Sequence, residues 1–121
     1  MSEISALPHP HHCELNRSCP NLPPVENFSV VSQVFKQLSD PCRCRIFLAL
    51  CHAELCVINL AALMNMSSPA VAHHLRLLKT AGLITSRREG KEVFYRASTT
   101  DLAEALHSMI EEVMHLSCTS I

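Results

Sequence analysis

The apolar positions that follow Phe28 recur at helical spacing. Val31, Val34, Phe35 and Leu38 lie at i, i+3, i+4 and i+7, which predicts a first helix with one apolar face. The 25 residues at the start of the chain have little apolar periodicity and hold five of its seven prolines. We therefore expect residues 1–25 to form a flexible arm rich in histidine and cysteine, and residues 26–121 to form the folded domain.

Two shorter helices are predicted next. Asp40 directly before Pro41 is typical of an N-cap followed by proline at the first helical position, and this second helix is expected to run through Cys51. A third helix is predicted from about Val57 to Met64.

The segment MSSPAVAHHLRLLKTAG predicts the clearest helix in the chain. We expect Ser68 to cap it, Pro69 to occupy its first position, and Gly82 to take the left-handed conformation after its end. Its buried face is expected to be Val71, Leu75 and Leu78. Small and polar residues recur on the opposite face: Ser68, Pro69, Ala72, His73, Arg76 and Lys79. Together with a short turn at residues 65–67 and the helix before it, this pattern predicts a helix-turn-helix.

The segment LITSRREGKEVFYRAS predicts a β-hairpin, because two stretches of β-forming residues flank Glu89-Gly90. The chain has only two glycines, and they fall at this turn and at the helix stop before it, so the local signals agree with one another. The predicted fold class is mainly α with a β-hairpin.

A terminal helix is predicted in TTDLAEALHSMIEEVMHLSC. Apolar residues line one of its faces: Leu102, Leu106, Met109, Ile110, Val113 and Leu116. A domain of 121 residues buries only a modest core, so pairing with a second copy explains this face better than local packing does. We expect a homodimer with the helical ends of the chain in the interface.

Charge is distributed unevenly along the chain. The net charge of −1 argues against a uniformly basic nucleic-acid binder. Residues 73–96, however, hold six lysines and arginines against two glutamates, whereas residues 97–121 hold four acidic residues and no lysine or arginine. Such a separation suits a chain in which one segment meets phosphate and another meets cations.

Cysteine usage and hydropathy predict a cytoplasmic protein. The seven cysteines are an odd number and follow no secretory signal pattern, so we expect reduced thiols. Apolar runs stay well short of the roughly 18 residues that a membrane helix needs, so we expect no membrane partner. The sequence holds neither a glycine-rich phosphate loop nor a set of nucleophile, base and orienting group, and we expect no enzyme activity.

The motifs LSDP-R-RI, ELCV--LA, S-AV-HHLR-L--AGL and R-EGK-V-Y, which together span roughly residues 28–117, resemble the ArsR/SmtB family of metal-responsive repressors. The resemblance implies a homodimeric winged helix-turn-helix protein. It implies a repressor that binds double-stranded, pseudo-palindromic operator DNA when metal-free and leaves it when a metal ion binds. The regulated genes would serve metal efflux or detoxification, and no small organic substrate is implied.

The helix after the turn is expected to enter the major groove, and the hairpin to form a wing that contacts the DNA backbone or minor groove. The candidate DNA-binding residues are Ser67, Ser68, Ala72, His73, Arg76 and Lys79 on the helix and Arg87, Arg88 and Lys91 on the wing. Adjacent helical positions point about 100° apart, so we expect His73 to face DNA and His74 to be a partly buried structural residue. The open alternatives are an ordinary solvated face and a metal-binding histidine pair.

Cys56 occupies the position in the ELC motif that supplies a thiolate in thiol-rich members of the family. Some of those members have a second cysteine two residues later, where this chain has Ile58. The arm can supply the remaining ligands: Cys13 and Cys19, with His9, His11 or His12. Three thiolates and one imidazole form a tetrahedral set suited to Zn²⁺ or Cd²⁺, with Pb²⁺ and arsenite, As(III), as further candidates. The alternative is an incidental histidine-rich tail.

The resemblance also implies a second candidate metal site on the terminal helix. Its candidate ligands are Asp101, Glu112 and His115. Thr99 stands where the family has an aspartate, so one ligand is missing or is supplied by His107 or Glu111. The alternative is a first-turn acid favoured by the helix dipole, followed by a solvated face.

The other cysteines leave further functions open. Cys42 and Cys44 could join a trigonal thiolate site for arsenite, Cys118 could take part in a thiol or persulfide redox switch, and Cys51 is expected in the core. A protein of another class, which buffers metal ions, would also use a histidine- and cysteine-rich arm, but it would not need the basic wing.

Overall fold

A computed structural model describes residues 21–118 of the chain. Its elements in chain order are α1 (Val25–Gln37), α2 (Pro41–His52), β1 (Leu55–Cys56), α3 (Val57–Met64), α4 (Ser68–Thr80), β2 (Ile84–Glu89), β3 (Glu92–Ala97) and α5 (Asp101–Cys118). The mainly α class with a β-hairpin is confirmed. None of the helices between residues 21 and 118 has both the length and the apolar character that crossing a membrane requires.

The first helix begins at Val25, three residues before Phe28, and it ends before Leu38. The described residues fall into two units, 21–35 and 36–118, and most of α1 belongs to the first of them. No residue of α1 is buried. Its exposed large apolar side chains are those of Val25, Phe28, Val30, Val31 and Phe35.

The second helix starts as its sequence predicts. Asp40 is the N-cap: its side chain accepts a 3.0 Å hydrogen bond from the backbone N–H of Arg43, and Pro41 is the first helical residue. This hydrogen bond is the main reason why the pKa of Asp40 lies below its ordinary value. The helix ends at His52, one residue after Cys51, and it contributes Ile46, Phe47 and Leu50 to the core.

The third helix has the predicted bounds, but the predicted start of α4 is wrong by one residue. Ser67, not Ser68, is the N-cap, because its Oγ accepts a 3.2 Å hydrogen bond from the N–H of Ala70. Pro69 is therefore the second helical residue, a position it tolerates because N–H groups in the first turn have no partner within the helix. The predicted buried face of Val71, Leu75 and Leu78 is confirmed.

The end of α4 directs the chain into the sheet. The N–H of Gly82 donates to the carbonyl of Lys79 and that of Leu83 to the carbonyl of Leu78, both at 3.0 Å. This is the Schellman pattern, which requires a left-handed residue after the C-cap, and Gly82 has a φ of +79°. Leu83 and Ile84 are buried directly after Gly82, so the end of α4 determines where β2 begins.

The hairpin is present, with its turn one residue later than predicted. Glu89 pairs with Glu92, so the turn consists of Gly90 and Lys91, and Gly90 has a φ of +64°. A glycine with positive φ at the first turn position is typical of the two-residue turns that match the twist of antiparallel strands.

The sheet has a third strand that the sequence did not predict. Leu55 and Cys56 pair antiparallel with Tyr95 and Phe94, and the strand order is β1-β3-β2. A strand of two residues is too short to produce an alternating apolar pattern, so periodicity gave no signal for it.

The buried residues of the terminal helix lie in its first half. Ala103 and Leu106 are buried, and the Oγ1 of Thr100 caps the helix by accepting a 3.2 Å hydrogen bond from the N–H of Ala103. The rest of the predicted apolar face is exposed or half-exposed: Leu102, Met109, Ile110, Val113 and Leu116. A single chain therefore buries little of the face that predicted a homodimer.

Candidate functional site

The outer face of α4 is polar and accessible. Among its candidate DNA-binding residues, Ser67, Ser68, His73, Arg76 and Lys79 are exposed and Ala72 is half-buried. Val71, Leu75 and Leu78 bury the opposite face, so packing fixes which side of the helix points outward. The outer face can therefore approach a large ligand without disturbing the core.

The two adjacent histidines of α4 have different surroundings. His73 is exposed, whereas His74 is half-buried and its Nδ1 accepts a 3.3 Å hydrogen bond from the Nε of Arg43 on α2. Burial lowers the pKa of His74, an effect that Asp40 opposes and Arg43 reinforces. A neutral His74 thus links α4 to α2 and leaves His73 free on the outer face.

The wing is connected directly to α4. The Nζ of Lys79, in the last turn of α4, donates a 2.7 Å hydrogen bond to the Oγ of Ser86 on β2. Arg88 and Lys91 are exposed further along the hairpin. The last turn of α4 is therefore hydrogen-bonded to the wing, and both elements carry exposed positive charge.

Arg87 differs from its neighbour Arg88 because its guanidinium is paired with two carboxylates. Its Nε and Nη2 donate to the two carboxylate oxygens of Glu54 at 2.8 and 2.7 Å, and its Nη1 donates to Glu89 at 2.7 Å. Its guanidinium carbon lies 5.0 Å from the centre of the Phe94 ring. The same hydrogen bonds raise the pKa of Arg87 and lower that of Glu54. Sequence reasoning placed Arg87 on DNA and gave no sign of Glu54, which lies 33 residues away.

Cys56 lies at the junction of β1 and α3. It is half-buried, it is the N-cap residue of α3, and it pairs with Phe94 of β3. Its proposed partners Cys13, Cys19, His9, His11 and His12 lie outside the described residues. Phe94 also lies under Arg87 of the wing, so the strand that holds Cys56 and the base of the wing meet at one aromatic ring.

The candidate ligands of the terminal helix are not brought together within one chain. Asp101, Glu112 and His115 are all exposed on α5. Asp101 lies eleven residues before Glu112, which separates them by about 16 Å along the helix axis. These residues could share an ion only if a second chain supplied some of the ligands.

Another group is brought together instead. Between residues 21 and 118, one set of three side chains places its ligand atoms within 4.8 Å of one another: His52, His107 and Glu111. The sequence named His107 and Glu111 only as substitutes in the terminal-helix site. Their i, i+4 spacing was the available signal, but His52 lies on α2 and periodicity alone could not associate it with them.

Two of the described thiols are made less acidic by burial. All five cysteines from Cys42 to Cys118 are free. Burial, with a contribution from the charge of Glu111, raises the pKa of Cys51 to about 11, and burial also raises the pKa of Cys44. Such thiols stay protonated at neutral pH and are poor nucleophiles, so these two give no support to a redox switch.

Comparison with known proteins connects this arrangement to a family. The family model for "Bacterial regulatory protein, arsR family" matches residues 40–86, from the N-cap of α2 into β2. The HTH-type transcriptional repressor SmtB of Mycobacterium tuberculosis is 33% identical over 110 residues, which cover 88% of this chain and 79% of that protein. A cadmium resistance transcriptional regulatory protein CadC homolog of Staphylococcus aureus is 41% identical over 96 residues, 78% of this chain and 76% of that protein.

The fold has solved counterparts. The solution structure of a homodimeric winged helix-turn-helix DNA-binding domain from Mycobacterium bovis, described as a possible ArsR-family transcriptional regulator, matches with a TM-score of 0.66 at 28% identity. The match covers 75% of this chain and 85% of that domain. With the polar outer face of α4 and the adjoining wing, these similarities identify the chain as a member of the arsR family of bacterial regulatory proteins with a winged helix-turn-helix fold.

Proposed function

We propose that this chain is a homodimeric, metal-responsive transcriptional repressor. It binds double-stranded operator DNA when metal-free and releases it when a thiophilic ion of the Zn²⁺, Cd²⁺ or Pb²⁺ class binds, which controls genes of metal efflux or detoxification. The observation that carries the proposal is the exposed polar face of α4 joined to the basic wing through Lys79 and Ser86. The similarity to SmtB and CadC supports the metal response.

In this proposal α4 lies in the major groove. The short side chains of Ser67, Ser68 and Ala72 allow the start of the helix to sit deep, while His73 and Arg76 reach base edges or phosphates. Lys79 contributes positive charge where the helix meets the wing. Two chains related by a two-fold axis present two such helices, so we expect a pseudo-palindromic operator with half-sites about 34 Å apart, one turn of DNA.

The wing supplies contacts with phosphate. Arg88 and Lys91 are exposed and carry no ion pair among residues 21–118, so they are the wing residues best able to meet the DNA backbone. Arg87 was a candidate for the same role, but its bonds to Glu54 and Glu89 favour a positioning role that fixes the wing against β1.

The regulatory metal site is proposed at Cys56 with Cys13, Cys19 and His11 or His12 of the arm. Zn²⁺ and Cd²⁺ favour such thiolate-rich sets. A metal-induced movement of Cys56 would be transmitted to the wing through Phe94, because Phe94 pairs with Cys56 and its ring lies under Arg87. Metal and DNA would then weaken each other's binding reciprocally. A reversal from 99:1 to 1:99 needs about 5.5 kcal/mol of differential affinity, well within the roughly 10–16 kcal/mol of cysteine-rich zinc sites.

A second regulatory site is proposed at Asp101, Glu112 and His115, completed across two chains. Their exposure on α5, the helix that carries the unburied apolar face, favours ligands shared between copies. Glu112→Gln then weakens metal-induced release even when Cys56 is intact.

The test is fluorescence anisotropy of the full-length, reduced, metal-free chain on a labelled fragment of its own promoter, repeated with Zn²⁺, Cd²⁺ and arsenite. We expect tight binding without metal and release with Zn²⁺ or Cd²⁺. Arg76→Ala should weaken binding, whereas Arg45→Ala, which removes another exposed positive charge, from α2, should not. If the metal-free chain does not prefer its promoter over unrelated DNA, the proposed function is wrong.

The proposed metal site has its own prediction. Cys56→Ser should leave operator binding of the metal-free chain unchanged and strongly reduce release by Zn²⁺ or Cd²⁺, because the set loses a thiolate; the release that remains should depend on Glu112. Cys42→Ser is the matched control, since Cys42 is an exposed thiol on α2 outside the proposed site. Normal release from the Cys56→Ser variant would contradict the arm site while leaving the repressor function intact.

A further inference from the structure

We infer that His52, His107 and Glu111 form a third site for a divalent cation of the Zn²⁺ class, which contains no thiolate and joins α2 to α5. The site uses none of the residues assigned above to DNA or to the arm site, and the sequence named His107 and Glu111 only as substitute ligands of the terminal-helix site. Both histidines approach the same carboxylate oxygen: the Oε2 of Glu111 lies 3.3 Å from the Nε2 of His52 and 3.1 Å from the Nε2 of His107.

These distances fit a tetrahedral ion. Zinc bonds to nitrogen and carboxylate oxygen are about 2.0–2.1 Å long, which places neighbouring ligand atoms about 3.3–3.4 Å apart. The two distances to Glu111 already lie close to this value, and all the ligand atoms lie within 4.8 Å of one another. The His52 side chain is 60% accessible, so its ring has room to rotate toward an ion held by the other two ligands.

The Nε2 atom of His107 is an independent indication of a missing partner. This atom is buried and makes no hydrogen bond within the described part of the chain, although it lies 3.1 Å from the Oε2 of Glu111. Buried polar atoms in proteins nearly always have a partner, and an unpaired one often marks a bound water or ion. A cation between the two rings would accept the lone pairs of both Nε2 atoms.

The arrangement of the rings also suits a shared ion. The His52 and His107 ring centres are 5.1 Å apart and their planes are nearly perpendicular, at 86°. The rings therefore meet edge to face, and neither blocks the other's Nε2 from Glu111. Imidazole and carboxylate ligands favour Zn²⁺, Co²⁺ and Ni²⁺ over the strongly thiophilic ions that suit the arm site.

Three protein ligands leave one position open. His52 and His107 border a cleft of about 470 Å³ that also reaches Ser98 and Thr99, which gives room for water as the fourth ligand. Because Glu111 and His107 belong to α5 and His52 ends α2, a bound ion would fix the terminal helix to the domain. If the proposed dimer forms through α5, this ion would steady the helix at the interface.

The test is a Co²⁺ titration of a full-length chain that carries Cys13→Ser, Cys19→Ser, Cys56→Ser and His115→Gln, which disable the arm site and the shared terminal-helix site, followed by visible absorption. We expect one equivalent to give the d–d bands of tetrahedral Co²⁺ without a thiolate charge-transfer band, and Zn²⁺ to displace it. Replacing His52 by Gln should weaken this binding about tenfold or more, at least as much as losing a residue that only orients a ligand. Glu111→Gln should do the same.

A control variant makes the assignment specific. Glu104→Gln removes an exposed acid from the same helix but none of the proposed ligands, so it should leave this spectrum unchanged. Unchanged binding in both His52→Gln and Glu111→Gln would overturn the inference, and so would an equal loss caused by Glu104→Gln. Neither result bears on the repressor function, which DNA release tests separately.

Discussion

At the scale of single residues, Arg87 and Arg88 show how neighbours with the same charge take different roles. Arg87 donates three hydrogen bonds to Glu54 and Glu89 and lies over Phe94, whereas no carboxylate within the described chain pairs with Arg88. A guanidinium held by two carboxylates must break those bonds before it can meet a phosphate. Arg87 is therefore suited to position the wing, and Arg88 to contact DNA.

This difference predicts separate effects of the two alanine variants. Arg88→Ala should weaken operator binding and reduce the slope of log K against log salt by about 1, with no change in melting temperature. Arg87→Ala should lower the melting temperature, because it leaves Glu54 and Glu89 unpaired, and should change the salt slope less. Anisotropy at several salt concentrations and thermal melts of both variants measure these effects. Equal salt slopes for the Arg87→Ala and Arg88→Ala variants would contradict the assignment of Arg88, rather than Arg87, to the DNA contact.

The sequence predicted the surroundings of residues when local geometry decided them. The angle between adjacent helical positions separates His73 from His74, and the structure places them as that angle requires. The partners of Arg87 and His107 could not be predicted in the same way. Glu54 and His52 come from distant elements, so only the packing of those elements brings them within hydrogen-bonding or ligand distance.

At the scale of elements, the turn at Gly82 that ends α4 and leads into β2 determines how the wing is placed against α4, the helix that we propose to lie in the DNA groove. The Schellman hydrogen bonds at Gly82 and Leu83 need a positive φ, which glycine adopts without steric cost. Apart from its neighbours in the chain, no atom of residues 21–118 lies within 4 Å of where a Cβ on Gly82 would stand. A substitution there tests backbone conformation alone.

Gly82→Ala should therefore destabilise the domain by about 1 kcal/mol, the usual cost of the left-handed region for an alanine. Gly82→Asn should cost less, because asparagine adopts this region more readily. Urea denaturation measures both, with the m-value expected to stay constant. Equal destabilisation by the two variants would show that the side chain, rather than the backbone, is responsible.

Elements with strong end signals were predictable to within a residue or two. Asp40-Pro41 and Gly82 carry such signals, and α2 and α4 begin and end close to the predicted residues. Ser67 and Ser68 are chemically equal caps, so the sequence could not decide between them. The two-residue strand β1 forms because it pairs with β3, and no local sequence pattern indicates that this distant strand lies beside it.

At the scale of the whole molecule, charge and apolar surface lie on different segments. Positive charge is concentrated on α4 and the wing, while α5 carries the acidic residues and an apolar face that one chain leaves open. The exposed part of that face includes Val113, which is 53% accessible, and Leu116, which is 70% accessible. A second copy that covers this face would leave the basic surface of each chain available for its own half of an operator.

Val113→Lys tests this arrangement. A lysine is harmless at an exposed position of a monomer, but in a symmetric interface it would bury two like charges near each other. We expect light scattering to show a mass that falls from two chains to one, with the circular dichroism of the chain unchanged. Operator affinity should fall as well, because a single chain reaches one half-site only.

Ser108→Lys is the matched control, since it adds the same charge to an exposed position of α5 away from the apolar face. It should keep both the mass and the operator affinity of the unmodified chain. A Val113→Lys chain that stays dimeric would place the interface elsewhere. If it became monomeric and still bound the full operator tightly, the requirement for two α4 helices would be wrong, even though the interface was placed correctly.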